Sequence, residues 1–187
     1  MDGFSFQSVK TTLVQSGAVL QLPDLLSERG LSRPLFVTDA MLIELGVVSP
    51  AIDHLRRSCD SVTVYDGIEP DPSERVVGDC LSAYRAGDCD CVIAIGGGSS
   101  MDVAKVVSVL SNNQQSLSEI YGVGMVSSPR KPLFFTQRIR LGERSPWGLD
   151  PDFVLLRLDP WLSSSSSNAK VISSRSSVGS SSINSYL

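Results

Sequence analysis

The chain has 187 residues, 42% of them hydrophobic, and can therefore bury one sizeable core with at most a small appendage. Its net charge is −4 and its basic residues are scattered, which argues against a nucleic-acid partner. No apolar run approaches the roughly 20 residues that cross a bilayer, and the polar, acidic first residues are unlike a signal or transit peptide. We therefore expect a cytoplasmic protein without a membrane partner.

Four stretches within the first 133 residues are predicted to be β-strands. The clearest are Arg33–Asp39, Ser61–Asp66 and Val92–Ile95, and a weaker signal lies near Thr12–Gln15. Helix-periodic segments separate these strands, and such an alternation is typical of a parallel sheet with helices on both faces. The predicted fold class is therefore α/β.

Helices are predicted between the strands. A short helix covers Met41–Leu45, and the next one begins with Ser49 as N-cap and Pro50 at its first position. Ser73 is expected to cap a third helix, and a fourth covers Ser99–Leu110. Two of these helices have an apolar side, which carries Ile52 and Leu55 in the second helix and Val76, Val77, Cys80 and Tyr84 in the third.

The four cysteines do not have the C-x-x-C spacing of a zinc or redox site. They are Cys59, Cys80, Cys89 and Cys91. Because Cys89 and Cys91 are two residues apart at the entry to a predicted strand, we expect both thiols on one face of the sheet. A pair of metal ligands is conceivable there, but two buried, reduced thiols that serve packing are favoured.

Three consecutive glycines, Gly96–Gly98, follow the predicted strand at 92–95 and precede a helix. Without a Cβ, their backbone can turn sharply and bring its N–H groups close to a ligand. The first turn of a helix also carries unpaired N–H groups and a partial positive charge, which together make a phosphate site. The pattern therefore predicts a bound nucleotide or dinucleotide.

A simpler function for the start of this helix is capping alone, with Ser99 as N-cap and Asp102 at the third position. Neither of the two common phosphate signatures fits the segment. The G-x-G-x-x-G pattern would need a glycine where Met101 stands, and the Walker A pattern would need one at Ala104, before Lys105. A standard Rossmann fingerprint and a P-loop kinase are therefore disfavoured.

Three segments together resemble the iron-containing (group III) alcohol dehydrogenases over about residues 10–133. They are Val37-Thr-Asp39, Asp66-Gly-Ile-Glu-Pro-Asp-Pro-Ser73 and Gly96-Gly-Gly-Ser-Ser-Met-Asp-Val-Ala-Lys105. By this resemblance, residues 1–133 form a Rossmann-like domain that binds a dinucleotide. In that family a second, helical domain supplies one Asp and three His residues that hold a divalent metal, usually iron or zinc.

The resemblance also implies which residues contact the cofactor. Gly97, Gly98 and Ser99 match the segment that holds the pyrophosphate, and Asp102 belongs to the same motif. Asp39 matches the acid that meets the adenosine ribose. A carboxylate there accepts a hydrogen bond from the 2′-OH and repels a 2′-phosphate, so NAD is expected rather than NADP.

Two acidic residues, Asp39 and Asp71, each also fit a structural role that does not involve the cofactor. Asp39 also fits the cap of the short helix that follows it. Asp71 stands between two prolines, near the cofactor position, where many relatives have Asn. Its added negative charge either weakens cofactor binding or serves only to shape the turn. The sequence alone leaves both questions open.

The chain departs from the family in the residues that would hold the metal. Its single histidine, His54, precedes the glycine motif, whereas the three histidines of the family follow that motif. We expect His54 to be a solvated or partly packed helix residue, and the metal ligands to be absent. The segment Phe134–Glu143 also lacks the P-T-T-x-G-T-G-S-E-like pattern of the family. The catalytic residues are therefore unknown, and little turnover is expected from this chain alone.

The composition changes after residue 133. We expect an atypical segment over 134–162 and an irregular, disordered tail over 163–187, where 13 of 25 residues are serine. Within the first segment, Pro151–Trp161 fits either a further strand or an amphipathic piece without a partner. The favoured hypothesis is a truncated or frame-altered product, and the alternative is a serine-rich regulatory tail.

Three functions follow from these patterns. The first is an NAD-dependent, metal-containing alcohol dehydrogenase acting on CH–OH groups, present as its cofactor-binding half, with a nicotinamide cofactor and a small alcohol or aldehyde as partners. The second is a nucleotide-binding pseudoenzyme or regulatory fragment. The third is a relative of glycerol dehydrogenase or dehydroquinate synthase. The oligomeric state stays open, and an uncovered apolar face would favour a homo-oligomer.

Overall fold

Six strands form one sheet in the computed structural model, which describes residues 11–122, 124–139 and 153–159. The strands, in chain order, are β1 Thr11–Ser16, β2 Pro34–Val37, β3 Thr63–Tyr65, β4 Cys91–Ile95, β5 Leu133–Ile139 and β6 Phe153–Asp159. Their order across the sheet is β1-β6-β5-β4-β2-β3. The four neighbouring strands β5, β4, β2 and β3 run parallel, whereas β6 pairs antiparallel with both β5 and β1.

Five α-helices connect or flank the strands within the described residues. They are α1 Leu22–Ser27, α2 Ala40–Glu44, α3 Ser49–Ser58, α4 Glu74–Ala86 and α5 Gly98–Leu110. None of these helices is long and apolar enough to pass through a bilayer. The strands and helices predicted up to residue 110 are thereby confirmed, with ends that differ by one or two residues.

The two faces of the sheet are covered by different helices, as the alternation predicted. Leu35, Val37, Val92 and Ala94 pack on one face against α4 and α5. Phe36, Cys91 and Ile93 pack on the other face against α1 and α3. Successive side chains of a strand point to opposite faces, so neighbouring residues of β2 and β4 enter different clusters.

The segment around residues 151–161 contributes a strand. Seven residue pairs join β6 to β5, from Leu133 opposite Asp159 to Ile139 opposite Phe153. A further six pairs join β6 to β1, from Thr11 opposite Leu158 to Ser16 opposite Phe153. Of the two alternatives for this segment, the strand is therefore correct. The serine-rich stretch 163–187 lies outside the described residues, and the division of the chain into domains stays a prediction.

The N-cap residues of two helices differ from those that the sequence predicted. The N-cap of α3 is Val48, so Ser49 and Pro50 occupy its first two positions. The N-cap of α5 is Gly97 rather than Ser99, and its backbone has the extended angles φ −81° and ψ −168° that fit a cap. Asp102 therefore falls in the second turn of α5, too far along for the proposed capping pair.

The prediction that the thiols of Cys89 and Cys91 lie on the same face of the sheet is wrong. All four cysteines are free, and Cys89 and Cys91 are buried as expected. However, Cys89 packs with the α4/α5 side of the sheet and Cys91 with the α1/α3 side. The reason is that β4 begins only at Cys91, after a turn in which Asp88 has φ 45°, so strand periodicity does not extend back to Cys89.

The buried thiol of Cys80 on α4 should make the protein sensitive to alkaline pH. Burial raises the pKa of Cys80 from 9.0 to about 12. The unfolded chain releases this proton near pH 9 while the folded chain retains it, so the stabilisation present below pH 9 is lost as the pH rises towards 12. We expect the free energy of unfolding in urea to fall between pH 8.5 and 10.5. The Cys80→Ala variant should show a shallower fall, and an equal fall in both proteins would contradict this assignment.

Candidate functional site

The parallel pairing of β2 with β4 brings two of the sequence motifs together at the carboxyl edge of the sheet. The paired residues run from Pro34 opposite Cys91 to Val37 opposite Ala94. Two residues further along each chain, Asp39 and Gly96 leave the sheet side by side. In open parallel sheets this edge is where ligands bind.

Gly97 and Gly98 form an open backbone surface at the start of α5. Both residues are exposed, and a Cβ built on either one would meet no other atom within 4 Å outside its own turn. The helix that follows has 13 residues, and its first N–H groups have no partner inside the helix. The turn therefore presents N–H donors and the positive end of a helix dipole to an approaching anion.

Gly96 has the opposite environment. A Cβ at this position would lie 2.8 Å from the Cβ of Ser100 and 3.2 Å from Oδ2 of Asp39. Ser100 is buried on the first turn of α5 and cannot move without moving the helix. Gly96 is therefore required by packing, because it allows the carboxylate of Asp39 and the start of α5 to approach each other.

Asp39 serves as a helix cap and also lies beside the glycine turn. Its Oδ1 accepts a hydrogen bond of 3.2 Å from the N–H of Leu42, so it is the N-cap of α2. Its Oδ2 lies beside Gly96, at the beginning of the glycine turn. The two interpretations left open by the sequence are therefore compatible, because the two carboxylate oxygens have different surroundings.

The loop between β3 and α4 also lies close to Asp39, through a backbone contact. Gly67 forms a bridge with Asp39, which sets the segment 66–73 alongside the end of β2. Asp71 is exposed on this loop and has φ 50°, in the left-handed region that Asn and Asp tolerate better than most residues. An ion pair of 3.2 Å between Glu69 and Arg75 ties the loop to α4.

Ser99 and Asp102 are both on α5 but differ in their placement. Ser99 is half-buried at the second helical position, adjacent to the open glycines. Asp102 is exposed, and its Oδ1 lies 2.8 Å from Nζ of Lys105. That Nζ is also 5.7 Å from the centre of the Phe135 ring on β5. The contact with Phe135 depends on the pairing of β4 with β5 and has no signal in the local sequence.

Thr38 is a residue that the sequence interpretation did not single out. It lies between β2 and Asp39, is completely buried, and its hydroxyl has no hydrogen-bond partner among the described residues. Buried polar groups are nearly always hydrogen-bonded. This unsatisfied hydroxyl lies next to Asp39 but is closed to solvent, so it does not itself face an incoming ligand.

The described residues do not fit a metal centre. Among residues 11–122, 124–139 and 153–159, no group of three or more His, Cys, Asp or Glu side chains could hold a metal ion. His54 is half-buried on α3, with Nδ1 3.5 Å from Nη2 of Arg57. It is the partly packed helix residue that the sequence predicted. No chemical step is therefore assigned to a metal held by these residues.

The sheet order, the helices on both faces and the glycine turn define a Rossmann-like α/β domain. The family model described as iron-containing alcohol dehydrogenase matches residues 10–136, and the chain belongs to this family. The resemblance stated from the three sequence motifs is thereby confirmed.

Known relatives extend well beyond this chain. Lactaldehyde reductase from Escherichia coli K12 is 34% identical over 119 residues, which are 63% of this chain and 31% of that protein. NAD-dependent methanol dehydrogenase from Bacillus methanolicus is 29% identical over 122 residues, or 65% of this chain and 32% of that protein. The chain thus spans about a third of the length of the curated relatives it matches.

Solved structures agree with the fold. A 1,3-propanediol oxidoreductase superposes with a TM-score of 0.60 at 26% identity, over 68% of this chain and 35% of the other. A sulfoacetaldehyde reductase from Bifidobacterium kashiwanohense, solved in complex with NAD+, superposes with a TM-score of 0.53 at 27% identity. That match covers 59% of this chain and 29% of the other.

Neighbouring glycines of the turn should respond differently to the same substitution. We expect Gly96→Ala to lower the free energy of unfolding by about 1–3 kcal/mol, because the new methyl group overpacks against Ser100 and Asp39. Gly97→Ala is the matched control and should leave stability nearly unchanged, since its Cβ enters open space. Urea denaturation of the two variants measures the difference. Equal stabilities would show that Gly96 has no packing constraint.

Proposed function

We propose that the described domain binds the nicotinamide cofactor NAD(H), with the diphosphate at Gly97, Gly98 and Ser99. The observation that supports this most strongly is the open backbone of the two glycines at the start of a 13-residue helix. A diphosphate there accepts hydrogen bonds from N–H groups that the helix itself leaves unpaired. The carboxylate of Asp39 supplies a further polar group at the same edge.

Asp39 would recognise the adenosine ribose in this arrangement. Its Oδ2 is free of the capping bond and can accept a hydrogen bond from the 2′-OH of NAD. A 2′-phosphate would instead bring negative charge against this carboxylate, so NADP is disfavoured. Asp71 and Asp102 are assigned outer positions, because both are exposed and the Asp102 carboxylate pairs with Lys105.

The reaction proposed for the whole protein is the oxidation of an alcohol CH–OH group or the reverse reduction of an aldehyde. NAD, when bound, supplies the carbon that accepts or donates the hydride. The residues of this domain bind and orient the cofactor. In the family a divalent metal, iron or zinc, holds the substrate oxygen, and the described residues do not provide its ligands. The identity of the alcohol therefore depends on residues outside the described domain.

A second candidate is a nucleotide-binding pseudoenzyme or regulatory protein that keeps the cofactor site without turnover. The observation in its favour is the single histidine of the chain, which lies on α3 beside Arg57 rather than at the glycine turn. Both candidates require NADH binding. An alcohol oxidation assay on the purified protein with added Fe²⁺ or Zn²⁺ tests the second candidate, because robust reduction of NAD would exclude it, whereas the little turnover expected from this chain alone agrees with both.

Cofactor binding can be blocked at the glycine turn without damage to the fold. We expect NADH to bind the protein in a fluorescence titration, and Gly97→Val to weaken its affinity at least tenfold, because the side chain fills the space of the diphosphate. Gly78→Val is a suitable control, since Gly78 lies in open space on α4, away from the turn. NADH binding that is equal in all three proteins would refute the assigned site.

The charge of Asp39 can be removed while the helix cap is retained. Serine is also a good N-cap residue, so Asp39→Ser should preserve α2. We expect this variant to bind NADPH more tightly than the parent protein does and NADH less tightly, because the carboxylate no longer repels the 2′-phosphate or accepts from the 2′-OH. Titration with both cofactors measures the ratio. An unchanged ratio of NADPH to NADH affinity would contradict the assignment of Asp39 to the ribose site.

A further inference from the structure

Tyr65, the last residue of β3, connects the end of β2 with the loop that follows β3. Its backbone oxygen accepts a hydrogen bond of 3.0 Å from the N–H of Thr38, next to Asp39. Its hydroxyl donates a hydrogen bond of 3.2 Å to the backbone oxygen of Val76 on the first turn of α4, and it also lies 3.5 Å from the backbone oxygen of Gly67 as a second acceptor. Tyr65 therefore links the end of β2, just before Asp39, with α4, the helix that follows the loop 66–73.

The ring of Tyr65 lies directly against Gly67. A Cβ at Gly67 would be 3.0 Å from the Tyr65 hydroxyl oxygen and 3.1 Å from Cζ. The ring cannot swing away from Gly67 without losing the bond to Val76. Gly67 is exposed, but it contacts this ring on one side and forms a bridge with the backbone of Asp39.

The hydroxyl of Tyr65 remains a donor over the neutral pH range. Burial is the largest cause that raises its pKa above the ordinary value of 10, and the nearby Cys80 and Asp79 act in the same direction. Arg75 acts in the opposite direction, and the ion pairs that Arg75 forms with Glu69 and Asp79 offset its charge. The hydrogen bond to Val76 is therefore retained throughout the neutral pH range in which the cofactor would bind.

We propose that Tyr65 is a positioning residue for the adenosine end of the cofactor site. By holding the loop 66–73 against α4, its hydroxyl keeps Gly67 paired with Asp39. That pairing keeps the Asp39 carboxylate beside Gly96, where it meets the ribose. The proposal rests on the proposed binding of NAD(H) at the glycine turn, and adds a residue that touches neither the cofactor nor the reacting atoms.

The test is the Tyr65→Phe variant, which removes the hydroxyl and keeps the ring. We expect its NADH affinity to fall about fivefold, the size of effect of one net hydrogen bond. The ratio of NADH to NADPH affinity should fall by a similar factor, because NADPH gains nothing from a well-placed Asp39. Tyr84→Phe is the matched control, since Tyr84 lies on α4 two turns beyond Val76 and should leave both affinities unchanged.

The ratio of NADH to NADPH affinity distinguishes a positioning role of Tyr65 from a general loss of structure. An equal loss of affinity for both cofactors in Tyr65→Phe, or no loss, would overturn the assignment of Tyr65 while NADH binding by the parent protein upholds the cofactor site. Absence of NADH binding in the parent protein would instead refute the proposed function and this inference with it. If Tyr65→Phe does not fold, Gly67→Ala tests the same contact, and an unchanged ratio in that variant would likewise overturn the proposal.

Discussion

The pairing of β2 with β4 is the interaction on which the site depends. Hydrogen bonds between these parallel strands fix Val37 opposite Ala94, and this register determines that Asp39 and Gly96 leave the sheet together. A shift of one residue would turn the side chains of either strand to the opposite face and disrupt both clusters of the core. The packing of the core therefore specifies the position of the polar edge.

Adjacent glycines of the motif have different physical roles. Gly96 is needed because Ser100 and the Asp39 carboxylate occupy the space that a side chain would fill. Gly97 and Gly98 are surrounded by open space, so the fold itself would accept a side chain at either position. Packing therefore does not explain the absence of side chains there, whereas the proposed diphosphate would. Gly67 has a third role, because it contacts the ring of Tyr65 and forms a bridge with the backbone of Asp39.

Local sequence patterns predicted the elements well and the contacts between them poorly. Apolar runs and helix periodicity identified β2, β3, β4, α4 and α5, because these signals reflect burial along a single element. The wrong cap of α5 and the wrong face of Cys89 arose where a glycine or a turn changes the backbone just outside an element. The bond from Tyr65 to Val76, and the closeness of Asp39 to Gly96, depend on strand order, which no local pattern contains.

The most direct measurement of the central claim is a titration of ¹⁵N-labelled protein with NADH, followed by amide NMR spectra. If the diphosphate binds the glycine turn, the amide signals of Gly97, Gly98 and Ser99 should show the largest shifts, with smaller shifts at Asp39 and Gly67. Shifts confined to another part of the sheet, or no shifts at millimolar NADH, would contradict the account.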